Sequence, residues 1–103
     1  MPPPRVWADK NPEADARLRR ARTAVIARAE ELSIPVENLL TPDTLRRVAW
    51  APPTPITAEG VGEALTTLAA RPWQVEATAQ LIAQAFVDVP QEPETPVEPD
   101  SSE

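Results

Sequence analysis

The stretch Leu32–Leu45 constrains the fold more than any other part of this chain. It carries Ile34, Val36, Leu39 and Leu40 where a solvated loop would carry polar residues. A connection this apolar has to be packed down, because burying each aliphatic side chain contributes about 1.5–3 kcal/mol. Pro35 is placed to stop an incoming helix, since it lacks an N–H and disfavours helical geometry at Ile34. Thr41-Pro42 then opens the next helix, with Thr41 as N-cap and Pro42 at the first helical position. Asp43 follows in the first turn, where its charge suits the helix dipole.

Four main helices are predicted around this bend. The first begins at Asn11-Pro12-Glu13 and repeats apolar residues at Ala14, Leu18, Ala21, Val25, Ala29 and Leu32, which is one helical face. The second runs from Pro42 to about Trp50, with Leu45, Val48 and Ala49 inward. Pro52-Pro53-Thr54-Pro55 forbids its continuation. The third starts at Thr57 and turns Val61, Ala64, Leu65, Leu68 and Ala69 to the core. Gly60 and Gly62 cost it about 1 kcal/mol each relative to Ala, which close approach of another helix would explain. Gly60-Val61-Gly62 has no preceding strand and no third glycine, so it is not a dinucleotide fingerprint. The fourth starts at Arg71-Pro72-Trp73, carries Val75, Ala79, Ile82 and Phe86 inward, and ends near Val87–Val89. No segment alternates with period two, so the expected fold is an all-α domain of four main helices, with an extra turn at Val36–Leu40 and a packed connection in place of a plain up-down bundle.

The length of 103 residues suits one small domain. Residues 1–10 read as an N-terminal linker, 11–89 as the helical domain and 90–103 as a disordered acidic Pro/Glu tail. Charge follows this division. Residues 1–89 hold all ten Lys and Arg and eleven Asp and Glu, a net of −1, whereas residues 90–103 hold five acids and no base. The acidic balance therefore says little about what the body binds. There are no cysteines and no histidines. That removes disulfides, thiolate metal sites and the commonest general base, and argues against independent catalysis. No catalytic residue, metal site or cofactor is expected. Without an apolar run of membrane length or a secretory signal, the expectation is a cytoplasmic monomer with no membrane partner.

Trp7 has two readings: an anchor folded back onto the domain, or part of an interface with a preceding domain. Trp50 reads as a core residue or a cover over the core edge. Among the basic residues, Glu13–Arg17 and Asp15–Arg19 are spaced as i,i+4 pairs with the acid first, worth about 0.2–0.5 kcal/mol each. Arg17, Arg22 and Arg28 flank the apolar stripe, and Arg20 and Arg22 have no acid four residues earlier. Asp43 is within reach of either Arg46 or Arg47.

The long first helix, followed by Leu32-x-Ile34-Pro35-x-x-x-Leu39-Leu40-x-x-x-Thr44-Leu45, resembles the helicase-and-ribonuclease-D C-terminal (HRDC) domain. Leu68-Ala69-Ala70-Arg71-Pro72-Trp73-Gln74-Val75-Glu76 and Val6-Trp7-Ala8-Asp9-Lys10-Asn11-Pro12-Glu13 look like the C-terminal region of ribonuclease D from actinobacteria. The resemblance spans residues 6–89 and implies an HRDC-like orthogonal bundle of these helices. It also implies a non-catalytic accessory domain of a 3′–5′ exoribonuclease, whose separate catalytic domain holds divalent metals on acidic residues. Two roles follow from it. One is weak, electrostatic positioning of structured, tRNA-like RNA, with Arg19, Arg20, Arg22, Arg46, Arg47 and Arg71 on phosphates. The other is a protein-interaction module that docks on the parent chain's catalytic domain or a sister HRDC domain through Trp7, Trp73 or Ile26. For the arginines, a solvated, salt-bridged helix surface competes with the first role.

Overall fold

The computed structural model describes residues 1–89, and the tail expected at 90–103 lies outside them. The described residues are helical, without a strand: a 3-10 turn at Pro4–Val6, then α1 (Trp7–Lys10), α2 (Pro12–Leu32), α3 (Val36–Leu39), α4 (Pro42–Trp50), α5 (Ala58–Thr67) and α6 (Pro72–Val87). The all-α expectation is met, with α2, α4, α5 and α6 as the main helices and α3 as the extra turn. Helical turns also occupy part of residues 1–10, which read as a linker in the sequence.

The long helix α2 is the spine, packing on α1, α3, α4 and α6, and α5 pairs with α6. Its face Ala14, Leu18, Ala21, Val25 and Ala29 is buried, whereas Leu32 at its last turn is 38% exposed. Leu39, Leu40 and Leu45 are buried in the same cluster, with Ile34 and Val36 packed against it, so the apolar bend is clamped down. Alanine contributes Ala14, Ala21, Ala29, Ala49, Ala79, Ala83 and Ala85 to this interior.

Trp7 is fully buried. Its Nε1–H donates to the Pro2 carbonyl at 2.8 Å, and its ring lies 5.0 Å from that of Trp50, tilted by 51°. Trp7 is thus an anchor folded onto the domain, and half-buried Trp50 covers it at the core edge.

The helix boundaries follow local chemistry. The Asn11 side chain accepts from the Ala14 N–H at 3.1 Å, and Thr57 Oγ1 accepts from the Gly60 N–H at 2.9 Å. Thr41 does precede α4, but its hydroxyl pairs with that of Thr44 at 2.9 Å and makes no backbone cap. α2 ends before Pro35 is reached. Ser33 takes the left-handed conformation (φ 58°), and the Ile34 N–H returns to the Ala29 carbonyl at 3.1 Å. Ala69 (φ 74°) does the same after α5, with the Ala70 N–H bonded to the Leu65 carbonyl at 2.9 Å. Both are Schellman endings without the usual glycine. Of the two glycines in α5, Gly62 meets α6, where an added Cβ would lie 3.2 Å from Val75 Cγ1. Gly60 instead faces the proline loop, 3.2 Å from Pro53 Cβ.

Two stability measurements check this packing. Leu39→Ala is expected to cost about 2–5 kcal/mol in denaturant unfolding, the range for a buried leucine cavity. Ala69→Gly is expected to gain about 0.5–1 kcal/mol, because it relieves a left-handed alanine while loosening the unfolded chain.

Candidate nucleic-acid interface

Arg17 lies on the buried stripe of α2, 7% exposed, rather than on its flank. Its Nε–H donates to the Ala49 carbonyl at 2.9 Å, near the C-terminus of α4. A guanidinium suits that position because it fills an orphan carbonyl at the negative end of a helix. Burial pulls its pKa below the usual arginine value, with the Glu13 charge acting the other way. Arg17 is therefore a structural peg between helices, and the Glu13–Arg17 spacing is not among the contact ion pairs.

The six arginines expected to meet phosphate are distributed over several places. Arg19 pairs with Asp15 at 3.2 Å. Arg20 reaches across to Asp88 at the end of α6, 3.6 Å away, and the two line a shallow groove between α2 and α6. Arg46 and Arg47 both hold Asp43, at 3.7 and 2.7 Å. Arg22 and Arg71 have no carboxylate partner among the described residues. Arg71 stands apart as the residue preceding α6.

Arg22 and Arg46 do come together. They line one groove among α2, α3 and α4, floored by Leu18, Val25, Leu40 and Leu45. Exposed Ile26 and Glu37 also line it. The groove encloses about 200 Å³, room for roughly one large side chain or one base. Arg22 and Arg46 stand 24 residues apart, and no spacing in the sequence marks the cavity that joins them.

The hydrogen bond from Arg47 holds the Asp43 carboxyl below the usual carboxylate range; desolvation opposes this, and the charges of Arg47 and Arg46 add to it. The same bond raises the Arg47 guanidinium. Asp43 thus restrains both cations of α4. Among the described residues no three carboxylates gather to hold a metal ion, and no helix is long and apolar enough to cross a membrane.

These features define a small all-α domain with arginines at an apolar groove and at one helix start. Over residues 1–86 the chain matches the family described as the 3′ to 5′ exonuclease C-terminal domain, and it belongs to that family. The membership ties it to 3′ to 5′ exonucleases in an accessory position. No curated protein and no solved structure matches the chain.

The Asp43 pairing has a pH signature. A carboxyl with a lowered folded pKa adds stability above its unfolded value, near 4, and that stability is lost as pH falls through the folded value. Denaturant unfolding of wild type and Asp43→Asn between neutral and acid pH is expected to show a difference that shrinks as pH drops below about 4.

Proposed function

We propose that this chain is a non-catalytic accessory domain of a ribonuclease D-like 3′–5′ exoribonuclease, and that it helps position structured RNA by weak electrostatic contacts. The HRDC resemblance and its actinobacterial character belong to this reading, as do RNA processing, a cytoplasmic location and a monomeric state in isolation. Family membership supports the exonuclease part. The observation that carries the RNA part is the convergence of Arg22 and Arg46, from different helices, on one groove.

Binding should be weak for a physical reason. Asp15, Asp88 and Asp43 already hold Arg19, Arg20, Arg46 and Arg47, and Glu37 shares the groove with Arg22. Phosphate has to compete with these carboxylates, which leaves about two or three neutralised phosphates to drive association.

The apolar floor of the groove favours a second reading, docking on the catalytic domain of the parent chain or on a sister HRDC domain. An opening of about 200 Å³ seats a single side chain, whereas a stable protein interface spreads over an extended face of many residues on each partner. RNA positioning is therefore placed first.

A salt titration with a structured, tRNA-like RNA tests the proposal. The expected affinity is micromolar or weaker, with a log–log salt slope of about −2 to −3. Arg22→Ala with Arg46→Ala should weaken binding and flatten that slope, and Asp43→Asn, which frees Arg46 and Arg47, should tighten binding and steepen it. Nanomolar affinity at physiological salt, or no response to these substitutions, would overturn the proposal.

A further inference from the structure

The chain has three tryptophans. Trp7 and Trp50 face one another at the core. Trp73 is left 48% exposed, next to Pro72 and two residues after Arg71. An indole is a costly group to leave in water, because it forgoes a large apolar burial.

Its backbone is nevertheless held firmly. The Arg71 N–H donates to Gln74 Oε1 at 2.7 Å, while Gln74 Nε2 donates to the carbonyl of Asn38 in α3 at 3.1 Å. The Gln74 and Val75 N–H groups both return to the Arg71 carbonyl, at 2.9 and 3.0 Å. The turn carrying Arg71 and Trp73 is thus tied to itself and to a second helix. Arg71 is exposed and has no carboxylate partner among the described residues. A half-exposed ring on a braced turn, with an unpaired guanidinium two residues away, offers the two elements that bind unpaired nucleotides. These are a flat surface for a base and a cation for its phosphate.

We propose that Trp73 and Arg71 form a binding site for an unpaired nucleotide of a single RNA strand, with the base stacked on the indole and the guanidinium on a neighbouring phosphate. The proposal rests on the RNA-positioning reading and deepens it by naming the part of the RNA that this end of the domain would hold. The site differs from the Arg22–Arg46 groove in the part of the RNA it takes. The groove arginines contact the phosphates of a structured region, whereas Trp73 needs a base free of its pair. Glu76, exposed one turn further along α6, limits the charge gained. Stacking, not charge alone, therefore supplies the selectivity for single strands.

The test uses the full chain, with an oligouridylate and a blunt RNA duplex as separate probes. Titration with oligouridylate is expected to quench tryptophan fluorescence of the wild type, because Trp73 is the indole open to a base. Trp73→Ala should weaken oligouridylate binding at least about fivefold and leave duplex binding nearly unchanged. Trp73→Phe should restore most of the affinity without the quench, which controls for misfolding. Arg71→Ala should reduce the oligouridylate salt slope by about one. Unchanged oligouridylate binding by Trp73→Ala, with the duplex still bound, overturns this site and leaves the RNA-positioning reading standing. A wild type that binds neither probe overturns both. Failure to bind oligouridylate, with Trp73→Ala breaking association with the catalytic domain, overturns the site in favour of protein docking.

Discussion

Burial of one face of α2 holds this domain together. That face, from Ala14 to Ala29, meets α1, α3, α4 and α6 in turn. The apolar bend at Ile34–Leu45 has to lie on it, because Leu39, Leu40 and Leu45 gain burial only against a helix already in place. α3 is a single turn of four residues, too short to persist without tertiary contacts. Its existence is a consequence of that packing. The same dependence brings Arg46 on α4 opposite Arg22 on α2, so the groove and the core share one cause.

Charge is handled differently from apolar surface. Most arginines are occupied by acids close to them in sequence or brought close by folding, and Arg17 is taken inside to cap a helix end. A body with a net charge of −1 presents phosphate with a few free cations. Surface ion pairs of this kind contribute little to stability. Their main physical effect is to limit how strongly the surface attracts an anion.

The helical period of Ala14 to Ala29, the prolines at Pro12, Pro42 and Pro72, and the caps at Asn11 and Thr57 made most of the fold legible in the sequence. Those are local signals, and they work within a few residues. The inward place of Arg17 was not legible, although its spacing, three residues after Ala14 and four before Ala21, fits the stripe. Its charge concealed that it sits on the inward stripe. The end of α2 at Ser33 was hidden, since a left-handed serine leaves no compositional mark and Pro35 offered a more obvious stop. The Arg20–Asp88 pair and the Arg22–Arg46 groove join distant parts of the chain. Neither spacing nor periodicity carries the helix crossing geometry that brings them together.

The seven buried alanines have a consequence for how this interior tolerates change. Small side chains let helix backbones come near one another, so cohesion comes from proximity more than from bulk. Trimming an alanine to glycine removes one methyl group. Enlarging it wedges two helices apart and disturbs every contact along the seam. Drift in such a sequence is freest at the rim, where Leu32 and Val87 already meet solvent, and most restricted where the residues look least distinctive.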